Sequence, residues 1–246
     1  MAGNRKIKLA IFDIDGTIFR SSLIIESLNG LIEKKVFSKT VLTKINKDYL
    51  AWLNRKGSYN EYLMQVVRAY YESLKGKQPK PITIALQHVL KIHKDRVYRF
   101  TRNLIEELKK QNFQLIAISH SPENIVEPFA KYLGFDTSFG TRLEIKNNVY
   151  TGRRFDGNKF SLEYSVVSPK DQTLQQFITE KNLHIDWKNS IAVGDTEGDI
   201  PLFNLVGNPI VFNPSQSLAK LAKKKGWTMV VERKDVIYKI REAKFI

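Results

Sequence analysis

Ile11-Phe12-Asp13-Ile14-Asp15-Gly16-Thr17 is the stretch on which the reading of this chain turns. The apolar run Leu9 to Phe12 predicts a short buried strand. Asp13 to Gly16 predicts the turn that ends it, since Asp and Gly favour turn geometry. Alternate side chains at a strand exit share a direction, so Asp13 and Asp15 can converge. Paired carboxylates suit a hard cation such as Mg²⁺, or a division of labour between nucleophile and proton donor. The plain alternative is a surface turn. An EF-hand loop fits badly, because Thr17 and Ile18 stand where a further oxygen ligand and the glycine belong, and Ile24 replaces the closing glutamate.

The rest of the chain supplies the context. From about Arg96 onward short apolar runs alternate with helical patterns: a helix Val97 to Gln111, a strand Leu115 to Ile118, a helix Pro122 to Leu133 stopped by Gly134, a helix Lys170 to Glu180, strands Ile191 to Val193 and Pro209 to Phe212, and a helix Ser217 to Lys225 stopped by Gly226. Asn147-Asn148 between two short runs is a hairpin signal. This grammar predicts an α/β fold: a Rossmann-like, mostly parallel sheet with helices on both faces. Residues 19–95 lack a convincing strand. They read as helices over Ser21 to Glu33, Ser38 to Asn54, Tyr59 to Leu74 (with Ser58 as cap) and Pro81 to Lys94. The expected organisation is an α/β core of residues 1–18 and 96–246 with a helical insertion at 19–95. The aromatics of the insertion, Tyr49, Trp52, Tyr59, Tyr62, Tyr70 and Tyr71, read as core more readily than as a ligand platform. His88 and His93 lack acidic or cysteine partners at ligand spacing and read as ordinary helix residues.

Three further candidate sites fall at strand ends, where ligands of such sheets bind. Ser119-His120-Ser121-Pro122 offers a hydroxyl and backbone N–H groups beside a helix N-terminus, an anion site; Ser121 also reads as the cap of that helix. Lys170, after Ser168-Pro169, is a cation able to face a phosphate and a carboxylate together. Gly194-Asp195-Thr196-Glu197-Gly198-Asp199 adds two carboxylates four residues apart, so that a hard cation among Asp13, Asp15 and Asp195 would have oxygen ligands. Neither G-x-x-x-x-G-K-[ST] nor G-x-G-x-x-G occurs, which argues against a nucleotide-dependent kinase or a dinucleotide enzyme.

Composition sets outer bounds. The 246 residues contain no cysteine, which excludes disulfides, thiolate-bound zinc and a cysteine nucleophile, and fits a cytoplasmic protein. Asp13 interrupts the apolar run after Arg5, Lys6 and Lys8 too early for a secretory signal, and no stretch is long enough to span a membrane. The formal charge of +15 favours anionic partners, whether nucleic acid or phosphorylated metabolites. The lysines are dispersed except for Lys223-Lys224-Lys225, which makes nucleic-acid binding a minor reading.

Taken in order, these sites resemble the phosphatase branch of the haloacid dehalogenase-like superfamily: Asp13-Ile14-Asp15-Gly16-Thr17 the first motif, Ser119 the second, Lys170 the third, and Gly194-Asp195 to Asp199 the fourth. Thr141 to Gly152, and Gly207 to Trp227, resemble the subgroup of phosphoserine phosphatases, whose helical cap lies between the first two motifs, as residues 19–95 do here. The resemblance implies that Asp13 attacks phosphorus and forms an aspartyl-phosphate, and that Asp15 protonates the leaving alcohol and then deprotonates water. It implies that Ser119 and the neighbouring backbone at His120 hold phosphate oxygens while Lys170 stabilises charge. Mg²⁺ would be bound by Asp13, Asp195 and the Asp15 carbonyl, with Asp199 supporting the metal through water or orienting Lys170. The implied function is removal of phosphate from a small phosphorylated metabolite. Other readings are phosphoserine hydrolysis, phosphoryl transfer to a second alcohol, and a basic nucleic-acid-binding protein or end phosphatase. Phosphoserine phosphatases usually carry a glutamate soon after the first motif; Phe19-Arg20-Ser21-Ser22 stands here and the first acid is Glu26. Arg20, Arg55 and Arg68 are candidates for a second anionic group of the substrate.

Overall fold

A computed structural model describes residues 6–155, 160–161 and 169–240; Arg5 and Ser168 lie outside them. The elements run in chain order as β1 (Leu9–Phe12), α1 (Leu23–Glu33), α2 (Val41–Leu53), α3 (Tyr59–Leu74), α4 (Pro79–His93), α5 (Arg99–Lys110), β2 (Gln114–Pro122), α6 (Glu123–Leu133), β3 (Thr137–Thr141), β4 (Leu143–Lys146), β5 (Val149–Phe155), β6 (Phe160–Ser161), α7 (Lys170–Glu180), β7 (Ile191–Gly194), α8 (Ile200–Phe203), β8 (Asn208–Phe212), α9 (Gln216–Lys225), β9 (Thr228–Arg233) and β10 (Val236–Ile240).

Seven strands form the main sheet in the order β10-β9-β8-β7-β1-β2-β3, and β4-β5-β6 form a small second sheet. All pairings in the main sheet are parallel except β9 with β10. From β1 the chain builds outward through β2 and β3 on one side, and through β7, β8 and β9 on the other. β1 therefore stands at the topological switch point, and the carboxyl ends of β1, β2 and β7 lie side by side.

Each strand feeds two cores because successive side chains point to opposite faces. Ala10 and Phe12 join Leu115, Ala117, Val193 and Phe212 on one face, under α1, α4, α5 and α6. Leu9 and Ile11 join Ile116, Ile118, Ala192 and Val211 on the other, under α7, α8 and α9. Both faces are thus covered, as all-apolar parallel strands require. Helices α1 to α4 do not pack around a core of their own: Leu28, Tyr70 and Leu86 belong to the same apolar cluster as Phe12 and Phe129.

Several local expectations are corrected. Helix α1 begins at Leu23, and the Ser22 side chain caps nothing. Helix α2 begins at Val41 rather than Ser38, α4 at Pro79 rather than Pro81, and α5 at Arg99 rather than Val97. Val97 instead makes a bridge to Phe19. Ser58 caps α3 through a reciprocal box with Glu61, and Asn147 and Asn148 take φ of 49° and 60°, the left-handed pair a two-residue hairpin turn needs. The sequence expectations contain no strand at β3, β6, β9 or β10. β3 (Thr-Ser-Phe-Gly-Thr) has no apolar run and β6 is two residues long, whereas β9 and β10 (Val-Ile-Tyr-Lys-Ile) are apolar, β-branched runs that do carry a strand pattern.

Candidate active site

Asp13 leaves β1 with its amide donating to the Val193 carbonyl of β7 at 2.9 Å, which ties the first strand exit to the fourth motif. Its side chain is buried, and Oδ1 receives a hydrogen bond from Lys170 Nζ at 2.5 Å. The same ammonium donates to Asp199 Oδ1 at 2.6 Å. Asp199 Oδ2 in turn accepts from the backbone amides of Asp195 (3.0 Å) and Thr196 (3.1 Å). Asp199 is therefore a fully buried clamp that fixes both Lys170 and the turn after β7.

Carboxylate oxygens of Asp13, Asp195 and Asp199 lie within 4.8 Å of one another. Asp13 Oδ2 is buried without a hydrogen-bond partner. An all-oxygen donor set with an orphaned buried carboxylate oxygen fits a hard divalent cation such as Mg²⁺. Electrostatics agree. Burial, opposed by Lys170 and reinforced by Asp199 and Asp15, pushes the Asp13 carboxyl up to about 7. Burial with the charges of Asp13 and Asp199 pushes Asp195 well above the carboxylate range. Burial pulls the Lys170 ammonium down; the two carboxylates it touches more than reverse this and hold it above its ordinary range. Excess negative charge with one buried cation leaves room for another.

Asp15 faces elsewhere. Its Oδ2 accepts from Ser119 Oγ (2.6 Å) and Ser121 Oγ (2.9 Å), and its Oδ1 accepts from the Leu23 amide at the start of α1 (2.5 Å). The carboxylate is thus the true N-terminal partner of α1, and it is not part of the three-carboxylate group. Ser121 does not cap α6; Pro122 holds that position and has no side chain to cap with. Ser119 and Ser121 share one face of β2, both buried, by the period of two. His120, between them, is exposed, and its carbonyl accepts from Thr141 Oγ1 at 2.7 Å. Ser121 is the site residue that sequence reasoning missed; the alternation Ser-x-Ser at a strand end was the available signal. Gly16 is required where it stands: its φ is +83°, and a Cβ there would lie 2.2 Å from Asp195 Oδ2.

Arg20 is exposed, its guanidinium 5.6 Å from the Tyr98 ring centroid; Arg55 and Arg68 are exposed on α2's end and on α3. Glu26 accepts from Arg96 Nη1 (2.8 Å) and Ser21 Oγ (2.9 Å). His93 also stands 3.7 Å from Glu26, and His88 stands 3.8 Å from Glu33.

The sequence matches the haloacid dehalogenase-like hydrolase family over residues 10–204. The chain belongs to that family. A phosphoserine phosphatase of Mycobacterium tuberculosis is 23% identical over 220 residues, covering 89% of this chain and 68% of the relative. A crystal structure of a protein of unknown function from Bordetella pertussis Tohama I has a TM-score of 0.72 at 18% identity, over 92% of this chain and 98% of that one. A phospho-aspartyl intermediate analogue of phosphoserine phosphatase superposes with a TM-score of 0.59 at 21% identity, over 94% and 96% of the two chains. The protein is a hydrolase of the haloacid dehalogenase-like family, related to the phosphoserine phosphatases. Among the described residues no helix is long and apolar enough to cross a membrane.

Proposed function

We propose that the protein is a Mg²⁺-dependent phosphomonoesterase that acts on a small phosphorylated metabolite through an aspartyl-phosphate at Asp13. The observation that carries this reading is Lys170 held between Asp13 and Asp199 at the switch point, with Asp13 Oδ2 left without a partner. A carboxylate can attack an anionic phosphoryl group only where cations offset the repulsion. Lys170 is one; Mg²⁺ held by Asp13, Asp195 and the Asp15 carbonyl, with Asp199 behind them, would supply the second positive charge.

In the first step an Asp13 oxygen bonds to phosphorus, the bond to the leaving alcohol breaks, and Asp15 gives that alcohol a proton. In the second, water attacks phosphorus, Asp15 takes the proton back, and Asp13 is released with inorganic phosphate. Ser119, with the backbone around His120, holds phosphate oxygens, and Asp15 exchanges its Ser119 bond for the substrate. Residues 19–95 act as a cap that selects the leaving group and excludes water. Phosphoserine is disfavoured as substrate because the first acid after the motif, Glu26, already serves Arg96 and Ser21. The test is phosphate release from a panel of phosphomonoesters with Mg²⁺ and with chelator. Metal-dependent release supports the reading; release that survives chelation, or none from any ester, counts against it.

A further inference from the structure

A cavity of about 370 Å³ lies where the carboxyl ends of β2 and β3 meet α7 and the β4–β5 hairpin. Ser119 and Lys170 belong to its wall, so a group inside it borders the phosphate seat. The proposed chemistry leaves the rest of the wall unused. Arg142 and Arg154 bring two guanidinium groups to it, and Arg154 is buried. Two carboxyl groups share the lining. Glu180 stands at the exposed end of α7 and accepts from Gln176 at 2.7 Å. Glu123 is half-buried, and burial raises its carboxyl towards the neutral form against the pull of Arg142. Among the described residues no carboxylate lies within ion-pair distance of Arg142.

Arg142 is positioned by direct contacts with the phosphate loop. Thr141, the residue before it, pairs with Pro122 across β2 and β3, and its Oγ1 donates to the His120 carbonyl at 2.7 Å. Gly140 permits this approach: a Cβ there would lie 2.5 Å from Glu123 Cα and 3.0 Å from the Ser121 carbonyl oxygen. The Arg142 guanidinium rests on the Phe155 ring, 4.0 Å from its centroid. The Phe155 amide donates to the Arg142 carbonyl at 2.9 Å and fixes the two across the hairpin. Further along β5, the Tyr150 amide donates to the Lys77 carbonyl at 2.9 Å, and the Tyr150 carbonyl accepts from the Gly76 amide at 2.8 Å. The hairpin is thus tied at both ends, so little ordering remains to be done when a ligand arrives. A guanidinium stacked on a ring keeps its N–H edges for an anion.

We propose that this cavity is a subsite for a second acidic group of the substrate, a carboxylate or a second phosphate, and that Arg142 on its Phe155 shelf is the residue that reads it. The proposal rests on the phosphatase reading and narrows it: the substrate is the phosphomonoester of an alcohol that carries another acid. Arg20, Arg55 and Arg68, the arginines that the sequence offers for such a group, do not line the cavity.

The test compares kcat/KM for carboxyalkyl phosphates of increasing chain length, and for the bisphosphates of the matching diols, each against the alkyl phosphate of the same length. At the best length the carboxylate or the second phosphate should raise kcat/KM by about tenfold, the scale of one charge-assisted hydrogen-bonded contact. R142A should bring that ratio close to unity, and R142K should recover part of it. R102A, which removes an exposed arginine of α5 outside the cavity, should leave the ratio unchanged. No preference for an acidic ester at any length, a preference that survives R142A, or an equal loss in R142A and R102A (the mark of net charge alone) would overturn the proposal. Binding separates the subsite from the function. Calorimetry on Asp13→Asn should show carboxyalkylphosphonate binding about tenfold tighter than the alkylphosphonate of the same length, with the difference lost when R142A is added. If no ester is hydrolysed but this difference appears and depends on Arg142, the subsite stands and the phosphatase reading falls; equal binding of the two phosphonates overturns the subsite.

Discussion

The Ser121 hydroxyl donates to Asp15 at 2.9 Å from inside the protein, so the proposed general acid is held by a residue that belongs to neither the first motif nor the phosphate seat. In the proposed mechanism Ser119 turns to the phosphate when substrate binds, which leaves Ser121 and the Leu23 amide to aim Asp15. Removing Ser121 should hurt most where protonation of the leaving group matters most. S121A is expected to lower kcat for an alkyl phosphate about tenfold, and to change kcat for p-nitrophenyl phosphate, whose leaving group needs little help, by far less. S121T should recover the alkyl ester. Equal losses on both esters would mean that Ser121 is merely structural.

Lys170 joins two buried carboxylates, and its loss leaves them facing each other. K170M should reduce turnover by about a hundredfold or more, because charge on the transferring phosphoryl group loses a preorganised partner. In chelator at pH 8 it should also lower the unfolding free energy by about 3 kcal/mol, the scale for stranding buried charge. The stability deficit should shrink at pH 5.5, where the carboxyls accept protons instead. Denaturant melts at the two pH values check this, and a deficit that grows on acidification would refute the ion-pair account.

If Asp13 is a ligand as proposed, its raised carboxyl gives metal binding a pH window. Its ordinary value is 3.8 and its value in the fold is about 7. The folded state therefore binds the proton more tightly than the unfolded chain, and the associated stability is complete below about 4 and lost as pH rises through 7. Lys170, raised above its ordinary 10.5, keeps its contribution throughout this window and loses it only in strong alkali. A cation must displace the Asp13 proton, so Mg²⁺ should raise the melting temperature more at pH 8 than at pH 5.5. A shift that is larger at the acid end would contradict the assignment of Asp13 and Asp195 as ligands.

Gly16 offers a test of the frame rather than the chemistry. With φ at +83° and Asp195 in the space of a Cβ, G16A should destabilise the protein by about 1–3 kcal/mol and weaken the Mg²⁺-induced thermal shift together. Loss of stability with an intact Mg²⁺ shift would show that Asp195 is not where the cation binds.

Much of this was legible in the sequence, for reasons that can be named. β1, β2, β7 and β8 are short apolar runs with turn chemistry at one end, so the strands and the turns at their carboxyl ends could be read directly. Gly134 and Gly226 take the left-handed conformation that stops α6 and α9. What stayed hidden depends on tertiary contact. The capping of α1 comes from Asp15, eight residues upstream of Leu23, and no local pattern announces it. Ser121 looked like a helix cap because Pro122 follows it, yet the strand continues through both. The aromatic residues of α2 and α3 read as core by spacing; Tyr62, Tyr70 and Tyr71 are buried, whereas Tyr49 and Tyr59 are not, a distinction set by which helix faces which.

The most direct test of the central claim is acid-quenched mass spectrometry during turnover of an active ester with Mg²⁺. A transient phosphoryl group on the peptide containing Asp13, absent from Asp13→Asn, is the predicted result. Turnover retained by Asp13→Asn, or a phosphoryl group that forms elsewhere and persists in that variant, would contradict the account.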